Sequence, residues 1–485
     1  MLENGTPHKH GSFMSERLDA DICIIGGGSG GLSVAAGAAQ LGARTVLVER
    51  GRMGGDCLNF GCVPSKSLIA VAERAHVVRD SLAFGIEPAE PRIDMKAVRH
   101  HVRSVIAAIE PHDSVERFEG LGVRVIRAHG RLAGTNEVEA GGMRIRARRL
   151  VIATGSSPAI PPIPGLAEVD FLTNETIFDL DELPDHLLVL GAGPVGTELA
   201  QAFRRLGAAV TLVDAGPMLA REEPCFRSIV RDSLIRDGVA VRDNVRVERI
   251  EAGPAIVLAD GAGGEERIGG SHLLVATGRR PNIGELDLEL AGIAHDASGI
   301  RVDARLRTTN RRVFAIGDVA GPHAFTHMAG YHAGIVIRNA LFRLPAKVNH
   351  DAVPRVTYTD PELAHVGLTA SEAKARGIAH ETVETTFADN DRARAERATG
   401  GRIRVVVTPR GRVLGATIAG RQAGELLLPW SMAIDRRMKL SAMASTIVAY
   451  PTLSEINKRV AGLFYAPKLF GERTRCIVRW LGRLG

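Results

Sequence analysis

A chain of 485 residues exceeds a single compact core and implies several domains, and its 45% hydrophobic and 24% charged residues are ordinary for a globular protein. The net charge of +6 rests on arginines scattered along the chain without an aromatic-rich basic module, which excludes a dedicated nucleic-acid binder. Five cysteines, Cys23, Cys57, Cys62, Cys225 and Cys476, are too few and too unevenly spaced for a secreted disulfide scaffold, and no run of 18 apolar residues offers a membrane span. A cytoplasmic protein fits this usage. Residues 1–17 lack the apolar core of a signal peptide and are expected to form a disordered leader.

The first predicted strand, 21–25, runs into Gly26-Gly27-Gly28-Ser29-Gly30-Gly31. An Ala-rich helix follows to Gly42, and a second strand over 45–48 ends on Glu49. This is the dinucleotide-binding βαβ fingerprint: Gly26 permits the tight turn, Gly28 lets the backbone approach a pyrophosphate, and Gly31 lets helix and strand pack closely. The helix N-terminus supplies N–H groups and partial positive charge for phosphates. Glu49, 23 residues after Gly26, is placed to accept hydrogen bonds from ribose hydroxyls.

The arrangement recurs. A strand over 186–190 runs into Gly191-Ala192-Gly193-Pro194-Val195-Gly196, a helix continues to about Leu206, and a strand over 210–213 ends on Asp214, again 23 residues after the first glycine. One glycine-rich loop arises readily by chance, whereas two complete copies imply two bound dinucleotides and an electron relay between them. Ala153-Thr154-Gly155-Ser156, before a Pro-rich linker, and the stretch from Ala276 through Gly278, Arg279 and Arg280 to Asn282 read as strand ends with sharp glycine turns at domain joints. A strand over 313–316 leads to Asp318, an acid suited to cofactor hydroxyls. From about His350, alternating β-type runs at 402–407 and 413–420 and a helical stretch through Leu440 predict a separate α+β domain. The predicted class is therefore α/β, with two Rossmann-like dinucleotide-binding domains and a C-terminal α+β domain.

Between the fingerprints lies Gly54-Gly55-Asp56-Cys57-Leu58-Asn59-Phe60-Gly61-Cys62-Val63-Pro64-Ser65-Lys66. Four intervening residues let two cysteines at the start of a helix come within disulfide distance, and a helix N-terminus lowers the pKa of a thiol there. A structural disulfide or two buried thiols is the plainer alternative. Cys23, in the first apolar strand, and Cys225 read as structural.

This motif resembles the active-site motif of the class I pyridine nucleotide-disulfide oxidoreductases, the family of dihydrolipoamide dehydrogenase, glutathione reductase and mercuric reductase. The resemblance extends through 153–156, the second fingerprint, 276–282, 314–318 and the C-terminal domain, over roughly residues 20–465. It implies an FAD-binding domain over 18–157 and 283–348, an NAD-binding domain over 158–282, a dimerisation domain over 349–465 and a tail over 466–485. It further implies that Cys62 contacts the flavin and Cys57 exchanges with substrate, with a Lys66–Glu198 ion pair beside the flavin. Asp318 would hold the FAD ribitol, and Gly26, Gly28, Gly31 and Glu49 its adenosine half. Gly55, Lys66, Gly130, Thr154, Gly155, Ser156, Gly191, Gly193, Gly196, Asp214, Gly278, Arg279 and Thr326 complete the expected cofactor-binding set. A homodimer without a resident metal is expected. The acceptor would be a small-molecule or protein-bound disulfide, or a metal ion.

An acid at the Asp214 position accepts bonds from a ribose 2′-hydroxyl and repels a 2′-phosphate. NADP-preferring relatives carry two arginines just beyond it; here Ala215 replaces the first and Arg221 matches the second, so NAD(H) is expected over NADP(H). The family's His-Pro-Thr segment is altered to Tyr450-Pro451-Thr452, with Glu455 retained. A phenol with a pKa near about 10 is a poor proton shuttle at neutral pH, where an imidazole near about 6.5 serves. This tilts the expectation toward a mercuric-reductase-like branch, although only Cys476 stands where that branch has a C-terminal cysteine pair. The alternatives are a dihydrolipoamide dehydrogenase and a flavoprotein redox sensor without fast turnover. Beyond 465, Ile477, Trp480, Leu481 and Leu484 fall at helical spacing, with Arg475, Arg479 and Arg483 on another stripe. This basic amphipathic helix is expected to dock on the protein's own body rather than on a membrane surface.

Overall fold

Ile22, Cys23, Ile24 and Ile25 fill both faces of the first strand, Arg17–Ile25, because the sheet around its end is covered on either side. The computed structural model describes residues 16–259 and 264–483, and the fold divides into two compact units. The first takes in the chain up to Cys62 together with Ile106–Ser157 and Arg279–Val348. Its parallel strands run in the order Val123–Arg127, Thr45–Glu49, Arg17–Ile25 and Met143–Ile152, and Val313–Ala315 joins the last of these in parallel. Ile25 stands opposite both Val48 and Ile152, so the strand ends are level where Gly26 begins its turn. Cys23, Ile25, Val46 and Val48 enter one core, and Ile22, Ile24 and Leu47 the other. The Cys23 thiol is fully enclosed, and burial pushes it up to about 12. The expected leader ends sooner than 17: Arg17 already pairs opposite Arg144 in the sheet, and residues 1–15 lie outside the described residues.

The second unit combines Val63–Val105, Pro158–Gly278 and Asn349–Gly485. Its parallel sheet has the order Ala240–Arg242, Ala209–Val213, His186–Leu190 and His272–Val275, the doubly wound plan of the second fingerprint. An antiparallel five-stranded sheet runs Pro354–Thr357, Glu362–Gly367, Val413–Gly420, Arg402–Val407 and Glu381–Thr386. The alternation expected at 413–420 does not hold. Every residue of Val413–Gly420 is buried, because this strand is central and covered on both faces. Nor is there one helical stretch through Leu440. Helices Ala423–Leu426, Leu428–Asp435 and Leu440–Ser445 replace it, the second carrying Pro429 in its first turn and followed by Arg437 at φ +54°. Trp430 is fully buried there and donates to Asn457, whose amide donates on to the Leu426 carbonyl at 3.0 Å.

The C-terminal expectation is corrected as well. Helix Glu455–Leu469 inserts Ile456, Val460, Ala461 and Phe464 into the core, but its end is exposed, so the chain has left the core before Gly471 starts helix Glu472–Leu481. That last helix has no buried residue, and so it does not dock on the described body. Leu484 lies outside the described residues.

Candidate active site

The two glycine turns share one geometry. Gly26 has φ +109° and Gly191 φ +108°, and a Cβ on either would lie 2.3 Å from Ala153 O or 2.5 Å from Ala276 O. A Cβ on Gly31 would sit 1.9 Å from Gly26 O, and one on Gly196 equally close to Gly191 O. Only glycine therefore lets each helix seat against its own strand. Gly28 and Gly193 cap helices Ser29–Gln40 and Pro194–Leu206, and neither cap carries a side-chain hydrogen bond, which leaves first-turn N–H groups for an anionic ligand. Each turn ends on its acid. Glu49 accepts from the N–H groups of Gly27 and Gly51, and Asp214 from Ala192 at 2.6 Å and Gly216 at 2.8 Å. These cradles, walled by backbone and admitting no Cβ at Gly26, Gly31, Gly191 or Gly196, fit the pyrophosphates of two dinucleotides.

The cysteine loop rests on the first turn. Gly54 N–H donates to Gly27 O at 2.9 Å, and a Cβ on Gly55 would lie 2.7 Å from the Gly28 Cα. Gly130 fills another tight place, since its Cβ would meet Val48 Cγ1 at 2.9 Å. Cys57 belongs to the one-turn helix Gly55–Asn59, which Asn59 ties down through the carbonyls of Met53 and Gly55. Cys62 opens helix Cys62–Arg79. All five cysteines are unbridged thiols. The Cys57 thiol is hydrogen-bonded to Cys62, and this bond, partial burial and the Cys62 charge push its pKa well above the ordinary thiol value. Helix placement alone predicts a depressed thiol, but at Cys57 the neighbouring sulfur outweighs it. Thr326, expected among the cofactor-binding residues, lies against the sulfurs. Its hydroxyl is 3.5 Å from Cys62 Sγ, and its hydrogen bond to Cys57 works to lower that pKa.

Asp318 accepts from Ser156 Oγ at 2.6 Å, and Arg279 donates to the same Ser156 hydroxyl at 2.7 Å and to its carbonyl at 2.7 Å. Arg279 also reaches Asp56 at 3.1 Å, the residue before Cys57. Thr154 donates to Asn282 O, and Asn282 donates back to Thr154 O, while Gly155, at φ +67°, accepts from the Asn282 N–H. Gly278 turns at φ +136°. Two of these participants, Asp56 and Asn282, stand inside the motifs but were assigned no role from sequence. Their position beside Cys57 and Arg279 was the available signal.

Lys66 lies 2.7 Å from Glu198, a buried carboxylate on helix Pro194–Leu206. Tyr358, which sequence did not single out, holds both partners. Its backbone N–H donates to Glu198 at 2.9 Å, and its ring face lies 4.3 Å from the Lys66 ammonium. Tyr450 is exposed and donates its hydroxyl to Asp391 at 3.3 Å; the Asp391 charge and this bond raise the phenol's pKa. Glu455 opens helix Glu455–Leu469 and accepts from Thr452 N–H at 3.4 Å, while Asn390 donates to Thr452 O. Ala215 follows Asp214, and Arg221 is exposed.

Comparison with known proteins agrees with this geometry. A family model described as Pyridine nucleotide-disulphide oxidoreductase matches residues 20–335, and the corresponding dimerisation domain matches residues 353–461. The chain is 34% identical to a mercuric reductase of Streptomyces lividans, covering 92% of this chain and 96% of that one. It is 33% identical to a dihydrolipoyl dehydrogenase of Geobacillus stearothermophilus, again over 92% and 96%. A solved Cu(II) complex of the HOCl-induced flavoprotein disulfide reductase RclA from Escherichia coli superposes with a TM-score of 0.82 at 27% identity, covering 91% of this chain and 99% of that one.

Proposed function

Because this chain belongs to the pyridine nucleotide-disulphide oxidoreductase family and is an FAD-dependent, NAD(P)H-linked homodimeric enzyme, we propose that it delivers electrons from Cys57 and Cys62 to a thiophilic metal ion. Bound FAD supplies the two-electron exchange between reduced nicotinamide and the cysteine pair. The carrying observation is the Tyr450–Asp391 hydrogen bond: the residue that the family resemblance assigns to the acid–base position is a phenol whose pKa this bond and the Asp391 charge raise, so that it keeps its proton at physiological pH. Oxidising a dithiol substrate requires a base there, whereas a metal ion displaces the thiol protons itself. The mercuric reductase relatives and the copper complex of the structural neighbour support this class of acceptor.

In this proposal Cys57 ligates the incoming ion and loses its proton, and Cys62 then closes on it. One two-electron ion such as Hg(II), or two Cu(II) ions taking one electron each, is reduced as the Cys57–Cys62 bond forms and two protons leave. Thr326 donates to whichever sulfur carries charge. Asp318, ordered by Ser156 and Arg279, and the turn of Gly26, Gly28 and Gly31 with Glu49 would hold FAD, and Lys66 with Glu198 would set its electronics. Gly191, Gly193 and Gly196 would hold the nicotinamide nucleotide, with Asp214 favouring NAD over NADP through its charge. The FAD domain is assigned to 18–157 and 283–348, the NAD domain to 158–282 and the dimerisation domain to 349–465. Five unevenly spaced cysteines with one redox pair suit a reducing cytoplasm, and among the described residues no helix is long and apolar enough to cross a membrane.

The test is steady-state NADH oxidation by the purified holoenzyme with Hg(II) or Cu(II) under excess thiol, beside NAD reduction by dihydrolipoamide. Metal-dependent turnover with slow dihydrolipoamide oxidation is expected. Fast dihydrolipoamide oxidation without metal-dependent NADH consumption would overturn the proposal in favour of a lipoamide dehydrogenase.

A further inference from the structure

The helix Glu472–Leu481 lies outside both stretches matched by the family, which end at residues 335 and 461. None of its residues is buried, although four of its ten are large and apolar: Ile477, Val478, Trp480 and Leu481. At 100° per residue Ile477, Trp480 and Leu481 share one face, with Phe470 of the preceding turn leading into it; Arg475 and Arg479 occupy the opposite face, and Arg473 stands at the N-terminal end of the apolar one. Trp480 is 60% exposed, whereas the other tryptophan, Trp430, is wholly enclosed. Charge is concentrated here too. Residues 466–485 hold five cationic side chains, Lys468, Arg473, Arg475, Arg479 and Arg483, against the single carboxylate of Glu472, so +4 of the chain's net +6 sits on its last twenty residues.

We propose that this helix is an interfacial anchor that lays Ile477, Trp480 and Leu481 into the surface of an anionic phospholipid bilayer, with the arginines set among its headgroups. A short amphipathic helix with a tryptophan on its apolar face, Arg475 and Arg479 on the other, and Arg473 at the first turn, where its long side chain can reach the headgroups, fits the boundary between headgroup and acyl chain. The charge selects the partner. A second copy of the helix would set one segment of net charge +4 beside another, whereas an anionic leaflet offsets that charge. A single helix of this length binds a bilayer weakly, but the homodimer presents two at once.

The test uses the full-length holoenzyme and vesicles of phosphatidylcholine, either alone or with about one-third phosphatidylglycerol. Sedimentation with the anionic vesicles only, accompanied by a blue shift of Trp480 emission over a silent Trp430, is expected. Paired Ile477→Ser and Trp480→Ser changes should lower partitioning by about tenfold or more. Each of Arg475→Glu and Arg479→Glu should cost about fivefold or more on anionic vesicles. All of these variants should keep the wild-type rate of NADH oxidation with a soluble acceptor. The proposal is overturned if the enzyme stays in the supernatant with anionic vesicles, if it binds both vesicle types equally, or if the serine variant sediments as well as wild type. It is equally overturned if Trp480 is already shielded from acrylamide before lipid is added, which would assign the face to a second copy.

Discussion

Tyr450 donates its hydroxyl to Asp391 across 3.3 Å, and the carboxylate holds that proton in place. Both the charge and the bond raise the phenol's pKa above its ordinary value, so Tyr450 stays neutral at neutral pH. The pH–rate profile of the wild type should therefore show no inflection from this residue between about pH 6 and 9. In Tyr450→His a base appears as pH rises through about 6.5, and dihydrolipoamide oxidation should climb with it by up to about a hundredfold. Equal dithiol turnover by wild type and variant would refute the role assigned to the phenol.

The raised pKa of Cys57 has the Cys62 hydrogen bond as its largest cause, followed by burial and the Cys62 charge. Cys62→Ser should move the pH midpoint of Cys57 alkylation by iodoacetamide downward, leaving it above an ordinary thiol because burial persists. The same change should abolish the long-wavelength absorbance of the NADH-reduced holoenzyme, and Cys57→Ser should retain it. An unmoved alkylation midpoint would show that burial alone governs Cys57.

Tyr358 binds Lys66 through its ring and Glu198 through its backbone, so side-chain changes isolate the first contact. Tyr358→Phe keeps the ring face and should be silent. Tyr358→Leu removes a contact worth about 1 kcal/mol, and the rate of flavin reduction by NADH should fall about fivefold with a shifted flavin spectrum. Equal effects of Phe and Leu would mean that the hydroxyl, not the ring, matters.

Gly193 and Gly196 stand three residues apart in one turn yet should respond differently. A Cβ on Gly196 collides with Gly191 O at 1.9 Å, and Gly196→Ala should cost about 3 kcal/mol or more in thermal or denaturant unfolding. Gly193 has open space and φ −72°, so Gly193→Ala should fold normally and raise the KM for NADH instead. Unchanged KM in a stable Gly193→Ala would separate this turn from the nucleotide.

Asp214 does two jobs, since it fastens Ala192 and Gly216 as well as carrying charge. Asp214→Asn, which keeps an acceptor, combined with Ala215→Arg should shift the ratio of kcat/KM for NADH over NADPH toward NADPH by at least about tenfold. No shift in that ratio would remove Asp214 from nucleotide selection.

The two nucleotide turns were legible because their requirement is local: a glycine three to five residues from another, between a strand and a helix, leaves its mark in spacing alone. The cysteine motif was legible for the same reason. Tyr358, Asp391 and Asp56 were not, because each earns its place through a partner distant in sequence, such as Glu198 for Tyr358. The burial of Val413–Gly420 on both faces was equally hidden, since only the sheet order makes that strand central. The tail helix announced its amphipathic character but not the absence of anything to rest on, which depends on where Glu455–Leu469 leaves the core.

Gly54 is bonded to Gly27, and Gly55 abuts Gly28 too closely for any side chain between them. Four glycines thus splice the thiol loop to the phosphate turn as a single hinge-free corner. Neither can be moved, lengthened or transplanted into another scaffold without the other, so a chimera that exchanges one must exchange both.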